Sequence, residues 1–334
     1  MVSSIAEQPG FWGQLPRNFT VLAPMEDVTD VLFRDVILRA GRPHVFFTEF
    51  VSVKHLVNRE PEALRRLAFR PEHRPIVAQI WGNDPRQYEE AVPYLVSLGF
   101  DGIDINMGCP QPKITKKGSC SALILNPALA RELILAAKEG MALSGKSLPL
   151  SVKTRIGFSS VQTEQWCGFL LDQDLAALTV HGRIAAQMSE GQADWQEIAR
   201  VVHLRNAAEK KTLIIGNGDI QNHYQLETYG NRYGVDGLMV GRGIFENPFL
   251  FLPGRQDGTY SMFHDLPREE HIQWALDHLI AYEKHYGESR NSEIMKKFFK
   301  VYLTQFAGAE ELRAEIMETH SYGEARSILE KALK

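Results

Sequence analysis

The sequence predicts a (β/α)8 barrel followed by a small all-helical domain, on three observations. Eight short apolar runs recur between residues 20 and 240, most of them separated by helix-length amphipathic stretches. Each run stops at polar or glycine residues, as strands do when they deliver side chains to one face of a barrel. Beyond Pro253-Gly254 the pattern turns helical throughout. The expected division is an N-terminal extension (1–18), a barrel (19–254) and a helical domain (255–334).

After an extension carrying Phe11, Trp12 and Pro16, the first run covers residues 20–23. It ends at Pro24-Met25-Glu26-Asp27, and Thr29 or Asp30 is placed to cap a helix through Ile37. The later runs cover 45–50, 76–81, 102–107, 148–155, 177–181, 212–216 and 237–240. Val, Ile and Leu dominate them, as parallel strands covered by helices require. A doubly wound open sheet would also alternate strand and helix, but Ala23-Pro24-Met25 lacks the glycines of its first turn. In the tail, Asp265-Leu266-Pro267 reads as a helix start with Asp265 as the cap.

Composition is that of an ordinary globular chain, with 44% hydrophobic and 23% charged residues, which argues against disorder. Neither a leader-like N-terminus nor a membrane-length apolar run is evident, so a cytoplasmic monomer is expected. Three cysteines, Cys109, Cys120 and Cys167, form no CxxC pair and have no clustered histidines, which argues against a disulfide framework and a metal site. The formal charge of −4 excludes a strongly basic nucleic-acid module. Any such contact must use local patches: Lys113, Lys116 and Lys117, or Lys296, Lys297 and Lys300 interleaved with Phe298, Phe299 and Tyr302. Residues 256–334 hold ten basic against fourteen acidic side chains, so the tail as a whole is not such a patch.

The chemistry centres on Gly102 to Pro110. A buried strand ends at Gly108-Cys109-Pro110 and delivers Asn106 and Cys109 to a bend, where a thiol is more often reactive than packed. Gly216-Asn217-Gly218-Asp219 and Gly241-Arg242-Gly243 close the seventh and eighth runs. In many barrels loops at these two places cradle a phosphate, which implies a phosphorylated cofactor.

Seven motifs at run ends resemble, in order, those of the tRNA-dihydrouridine synthases. They are Ala23-Pro24-Met25, Gln79-Ile80-Trp81-Gly82, Asn106-Met107-Gly108-Cys109-Pro110, Val152-Lys153-Thr154-Arg155-Ile156-Gly157, His181-Gly182-Arg183, Asn217-Gly218-Asp219 and Gly241-Arg242-Gly243. The likeness runs from about residue 19 to the end. It implies FMN-dependent, NADPH-driven reduction of the C5–C6 double bond of particular uridines in tRNA, with a helical tRNA-binding tail.

By that resemblance, hydride reaches C6 from reduced flavin and Cys109 protonates C5. Asn106 would bind the uracil edge, Lys153 would stand by the flavin pyrimidine ring, and Arg155 and His181 would bracket substrate and ring. Pro24, Met25, Glu26 and Gln79 would contact the ring system; Asn217, Gly218, Asp219, Gly241 and Arg242 would hold the ribityl chain and phosphate. The target base would be flipped out of its stack, with Lys113, Lys116, Lys117, Lys296 and Lys297 gripping the RNA backbone. Three positions depart from the common pattern: Cys120 replaces a glycine, Ser189 stands near a usual aromatic, and Phe298 takes a usual histidine position. Cys120 is therefore an alternative proton donor, or a disulfide partner for Cys109 on oxidation. A barrel flavoprotein acting on a free pyrimidine shares the Asn, Lys and Cys logic, and only the helical tail argues against it.

Overall fold

The computed structural model describes residues 10–255 and 257–334; residues 1–9 of the expected extension lie outside them. Among the described residues nine strands form one parallel sheet: β1 (Phe19–Leu22), β2 (Phe46–Phe47), β3 (Val51–Ser52), β4 (Ile76–Trp81), β5 (Gly102–Met107), β6 (Leu150–Arg155), β7 (Ala177–His181), β8 (Leu213–Asn217) and β9 (Gly237–Val240). Their order is β1-β9-β8-β7-β6-β5-β4-β2, with β3 also on β4. The ring closes where Val21 bridges to Val45, and Leu22 N donates to Val45 O at 3.1 Å. With β2 and β3 counted as one stave this is the expected eight-staved barrel.

The run at 45–50 is not one strand. Phe46 pairs with Ile76 but Val51 pairs with Ile80, so five steps along this stave match four along β4, a one-residue bulge. In the gap Thr48 N donates to Val77 O at 3.0 Å, and the Thr48 hydroxyl accepts from Gln79 N at 3.1 Å in place of a ladder carbonyl. The bulge brings Glu49 inside, fully buried, where it accepts from Asp27 N at 2.7 Å and pins the loop after β1. The fifth run starts at Leu150 and not at 148, because Pro149 has no N–H for the ladder.

The turn Gly10–Gln14 plugs the end of the barrel where strands begin. Trp12 is 1% exposed and packs with Phe19, Val45, Phe47 and Val77, its ring 5.7 Å from that of Phe19. Phe11 lies over Gly102, whose missing Cβ would stand 3.3 Å from the Phe11 ring. With this end filled, chemistry is left to the strand C-termini. Replacing Trp12 by alanine is expected to cost about 4 kcal/mol of stability, because the plug opens a large cavity; urea unfolding measures it.

The chain divides into two compact units, one running through Val31 and including Pro43–Gly241, the other comprising Leu32–Arg42 and Arg242–Lys334. In the second, Phe33 stacks on Phe298 at 5.1 Å and Arg39 pairs with Asp277 at 2.7 Å. The long helix Arg268–Tyr286 begins after Pro267, and Asp265 is not its cap. The reason is steric: the residue before a proline is pushed to extended geometry, and Leu266 sits at φ −67°, ψ 147°. Asp265 instead ends the short turn Phe263–Asp265. Among the described residues no helix is long and apolar enough to cross a membrane.

Candidate active site

Strand register assembles the site. Gln79 lies beside Asp104 and Asp104 beside Ser151; two residues further along, Asn106 lies beside Lys153 and Lys153 beside Thr179; then come Arg155, His181 and Asn217. The intervening Thr154 faces the opposite way, accepting from Trp166 Nε1 at 2.7 Å, so Lys153 and Arg155 share the inner face. The polar inner side chains are bonded to one another. Ser151 Oγ and Gln79 Nε2 donate to Asp104 at 2.6 and 2.8 Å, and Asn106 Nδ2 donates to Gln79 Oε1 at 3.0 Å. Asn106 Oδ1 accepts from the backbone N–H groups of Gly108 and Cys109 at 3.0 and 2.9 Å.

Two cations stand at the barrel mouth. Lys153 Nζ donates to Asn217 Oδ1 at 3.0 Å; burial pushes the ammonium down to about 8, Arg155 adds to that push, and Asp104 and Cys109 oppose it. It is still mainly a cation at neutral pH. Arg155 Nε donates to Gly108 O at 2.8 Å and Nη1 to Ile184 O at 3.1 Å, so its guanidinium is held by carbonyls of two loops. Arg183 Nη1 meets His181 Nε2 at 3.0 Å; since arginine only donates, that nitrogen accepts and Nδ1 carries the proton.

The thiol sits over this group. Cys109 is half-buried and Cys120 fully buried, both packed near Phe50, Ile114 and Trp81. A hydrogen bond from the Cys120 thiol draws Cys109 down to about 7, against burial, with the Gln111 N–H and Arg155 adding support. Burial pushes Cys120 well above the usual thiol range, so it stays protonated as the donor of that bond. This arrangement offers a proton at the mouth near a half-buried cation.

The family model for dihydrouridine synthase (Dus) matches residues 21–334. The chain belongs to the dihydrouridine synthase family. It is 41% identical over 326 residues to a "Probable tRNA-dihydrouridine synthase" of Staphylococcus aureus strain COL, covering 96% of this chain and 95% of that one. It is 43% identical over 323 residues to the "Probable tRNA-dihydrouridine synthase 2" of Bacillus subtilis strain 168, with the same coverage. Among solved structures a 2-naphthoyl-CoA reductase superposes with a TM-score of 0.54 at 10% identity, over 73% of this chain and 50% of that one. A 6-hydroxypseudooxynicotine amine oxidase from Pseudomonas geniculata N1 gives 0.51 at 13% identity, over 70% and 46%. Such likenesses establish the barrel fold alone.

The expected residues fall into several groups in this chain. Gln79, Asn106, Cys109, Lys153, Arg155, His181 and Asn217 are brought together as described. Pro24, Met25 and Glu26 lie on the loop after β1, where Thr29 Oγ1 accepts from Met25 N at 2.9 Å and Arg66 stands 3.5 Å from Glu26. Lys113, Lys116 and Lys117 are exposed on the loop that follows Cys109. Gly218 sits at φ 124° against His181, while Asp219 is committed to Arg183, whose Nη2 donates to both of its oxygens at 2.7 Å. Gly241 ends the barrel unit, and Arg242, Lys296 and Lys297 belong to the helical unit, where Lys296 pairs with Glu293 at 3.2 Å.

Sequence reasoning missed Asp104, Ser151, Glu49 and Arg183 as members of the site's support. Asp104 could have been found, since it alternates in phase with Asn106 on one strand. Cys120 takes φ 55°, a left-handed conformation that favours glycine, which accounts for the glycine of the common pattern. Phe298, at a usual histidine position, is fully buried core.

Proposed function

We propose that this protein reduces the C5–C6 double bond of uridines in tRNA to give 5,6-dihydrouridine, using FMN and NADPH, with Cys109 as the proton donor. The observation that carries the reading is the half-buried Cys109 thiol, backed by a buried thiol and set near the half-buried Lys153 at the mouth of the barrel. The family and the names of its relatives support tRNA as the substrate.

FMN fits the residues present. Lys153 supplies a half-buried cation for an electron-rich ring, and the neighbouring Thr179 Oγ1 is buried with no hydrogen-bond partner. Pro24, Met25, Glu26, Gln79, Lys153, His181, Asn217, Gly218, Asp219, Gly241 and Arg242 form the proposed cofactor set. When bound, the flavin supplies the hydride that goes to uracil C6. Cys109 then gives its proton to C5, and Lys153 balances negative charge that develops beside it. Both lone pairs of the Asn106 side-chain oxygen already accept backbone N–H groups. One amide N–H is left, so Asn106 would reach a uracil carbonyl, with Arg155 as its neighbour. Lys113, Lys116, Lys117, Lys296 and Lys297 would neutralise RNA phosphates.

The test is mass-spectrometric measurement of dihydrouridine in unmodified tRNA after anaerobic incubation with NADPH and the FMN-loaded protein. Product in tRNA supports the reading. Product only from free pyrimidines, or none despite NADPH oxidation, overturns it.

A pH dependence follows from the thiol pair. An acid works only while protonated, so kcat/KM falls as pH rises through about 7, the value to which Cys120 draws Cys109. Cys120→Ala removes the largest lowering contact, and the alkaline limb is expected to move up toward the ordinary thiol range. The pH profiles of wild type and variant, measured side by side, check the sign.

A further inference from the structure

We infer that Asp104 is a positioning residue: as the acceptor-only member of a buried relay, it fixes which way the Gln79 and Asn106 amides face, and so holds the backbone that carries Cys109. The inference rests on the proposed role of Cys109 and explains how that thiol is kept in place.

The argument is one of hydrogen-bond polarity. An ionised carboxylate can only accept, and both Asp104 oxygens do so, Oδ1 from Ser151 Oγ at 2.6 Å and Oδ2 from Gln79 Nε2 at 2.8 Å. Burial pushes Asp104 up to about 6, held from going higher by the Ser151 and Gln79 bonds and by Lys153, so at neutral pH it is mainly an anion. An amide has one donor end and one acceptor end. With Nε2 toward Asp104, Gln79 must present Oε1 to Asn106, which can answer only with Nδ2, at 3.0 Å. Asn106 Oδ1 is then left facing the Gly108 and Cys109 N–H groups. Turn either amide round and like ends meet: oxygen on carboxylate at one end, NH2 on two backbone donors at the other. Gln79 and Asp104 are fully buried and Asn106 is 6% exposed, so water is not at hand to repair a mismatch. The register supports the same reading, since Gln79, Asp104 and Ser151 are direct neighbours on three successive strands.

The experiment moves the charge one residue along. Gln79→Glu alone sets two carboxylates face to face. Asp104→Asn with Gln79→Glu restores the order, because the new amide at 104 donates to the new carboxylate at 79, which still accepts from Asn106. The direct readout is hydrogen exchange at the Gly108 and Cys109 amides of the flavin-free full chain, with thermal melts alongside to establish folding.

We expect exchange about tenfold faster in Gln79→Glu, as for one lost hydrogen bond, and a return to wild-type protection in the double variant. Asp104→Asn alone is expected to lose part of the protection, because the new amide can present either end to Gln79 and no longer fixes it. Dihydrouridine formation in tRNA falls about a hundredfold in Gln79→Glu, as for a displaced reacting group. Unchanged exchange in Gln79→Glu, or no restoration in the double variant, overturns the inference; so does full protection in Asp104→Asn alone, which would mean that the Gly108 and Cys109 N–H groups set the amides without Asp104. If Gln79→Glu does not fold, the double variant against wild type still decides. Restored protection in a protein that makes no dihydrouridine even as wild type upholds the relay and defeats the reaction instead.

Discussion

Replacing Cys109 by alanine is expected to slow dihydrouridine formation about a thousandfold while leaving flavin binding and NADPH oxidation in place, because in the proposed role of this thiol only proton transfer is removed. Alanine keeps the backbone hydrogen bonds that position this loop. The Cys109 N–H still donates to Asn106 Oδ1 at 2.9 Å, and its carbonyl still accepts from Ser121 N at 3.3 Å. Cys120 is not placed to substitute, since it is fully buried, raised well above the usual thiol range and turned toward the Cys109 sulfur. The check is single-turnover dihydrouridine formation from pre-reduced protein. If Cys109→Ala retains more than about a tenth of the wild-type rate while Cys120→Ala does not, the acid is Cys120.

The parts of the fold legible in the sequence are those governed by a single local rule. β4, β5, β7 and β9 were legible to the residue, since parallel strands under helices are short apolar runs with polar ends. The bulge at Thr48 was not, because residues 45–50 read as one continuous strand and the break depends on a hydroxyl standing in for a carbonyl toward the neighbouring strand β4. The Trp12 plug was equally hidden: an aromatic in an extension carries no sign of the cavity that it fills. The site divides in the same way. Asn106, Cys109, Lys153 and His181 stand at strand ends and were read from motifs. Their support, Ser151, Asp104 and Arg183, consists of ordinary polar residues whose meaning comes from register with strands far away in sequence. The helix start at Arg268 shows local chemistry misread, where the steric push of Pro267 on Leu266 outweighed the capping preference of Asp265.

Lys153→Met is expected to lower the rate of dihydrouridine formation about a hundredfold, as for loss of one buried electrostatic partner, yet to relieve the flavin-free fold of a charge that opposes it. Burial dominates the downward shift of Lys153 from its ordinary 10.5 to about 8, which makes holding the ammonium inside cost about 3 kcal/mol at neutral pH. The sign follows from linkage. Between about pH 8 and 10.5 the unfolded chain binds more protons at this lysine than the native state, so wild-type stability rises with pH across that window and is level below about 8, where the cost of the ammonium is fully present. A methionine has no such dependence. Urea unfolding of both proteins, at pH 7 and near pH 10, should therefore show the wild type gaining up to about 3 kcal/mol relative to the variant, whatever is lost at Asn217 Oδ1. Equal pH slopes would show that the ammonium is not desolvated in the fold. A relative gain paired with the fall in rate would mean that the barrel keeps a destabilising cation because the reaction needs it there, as expected where stability and activity oppose each other at a site.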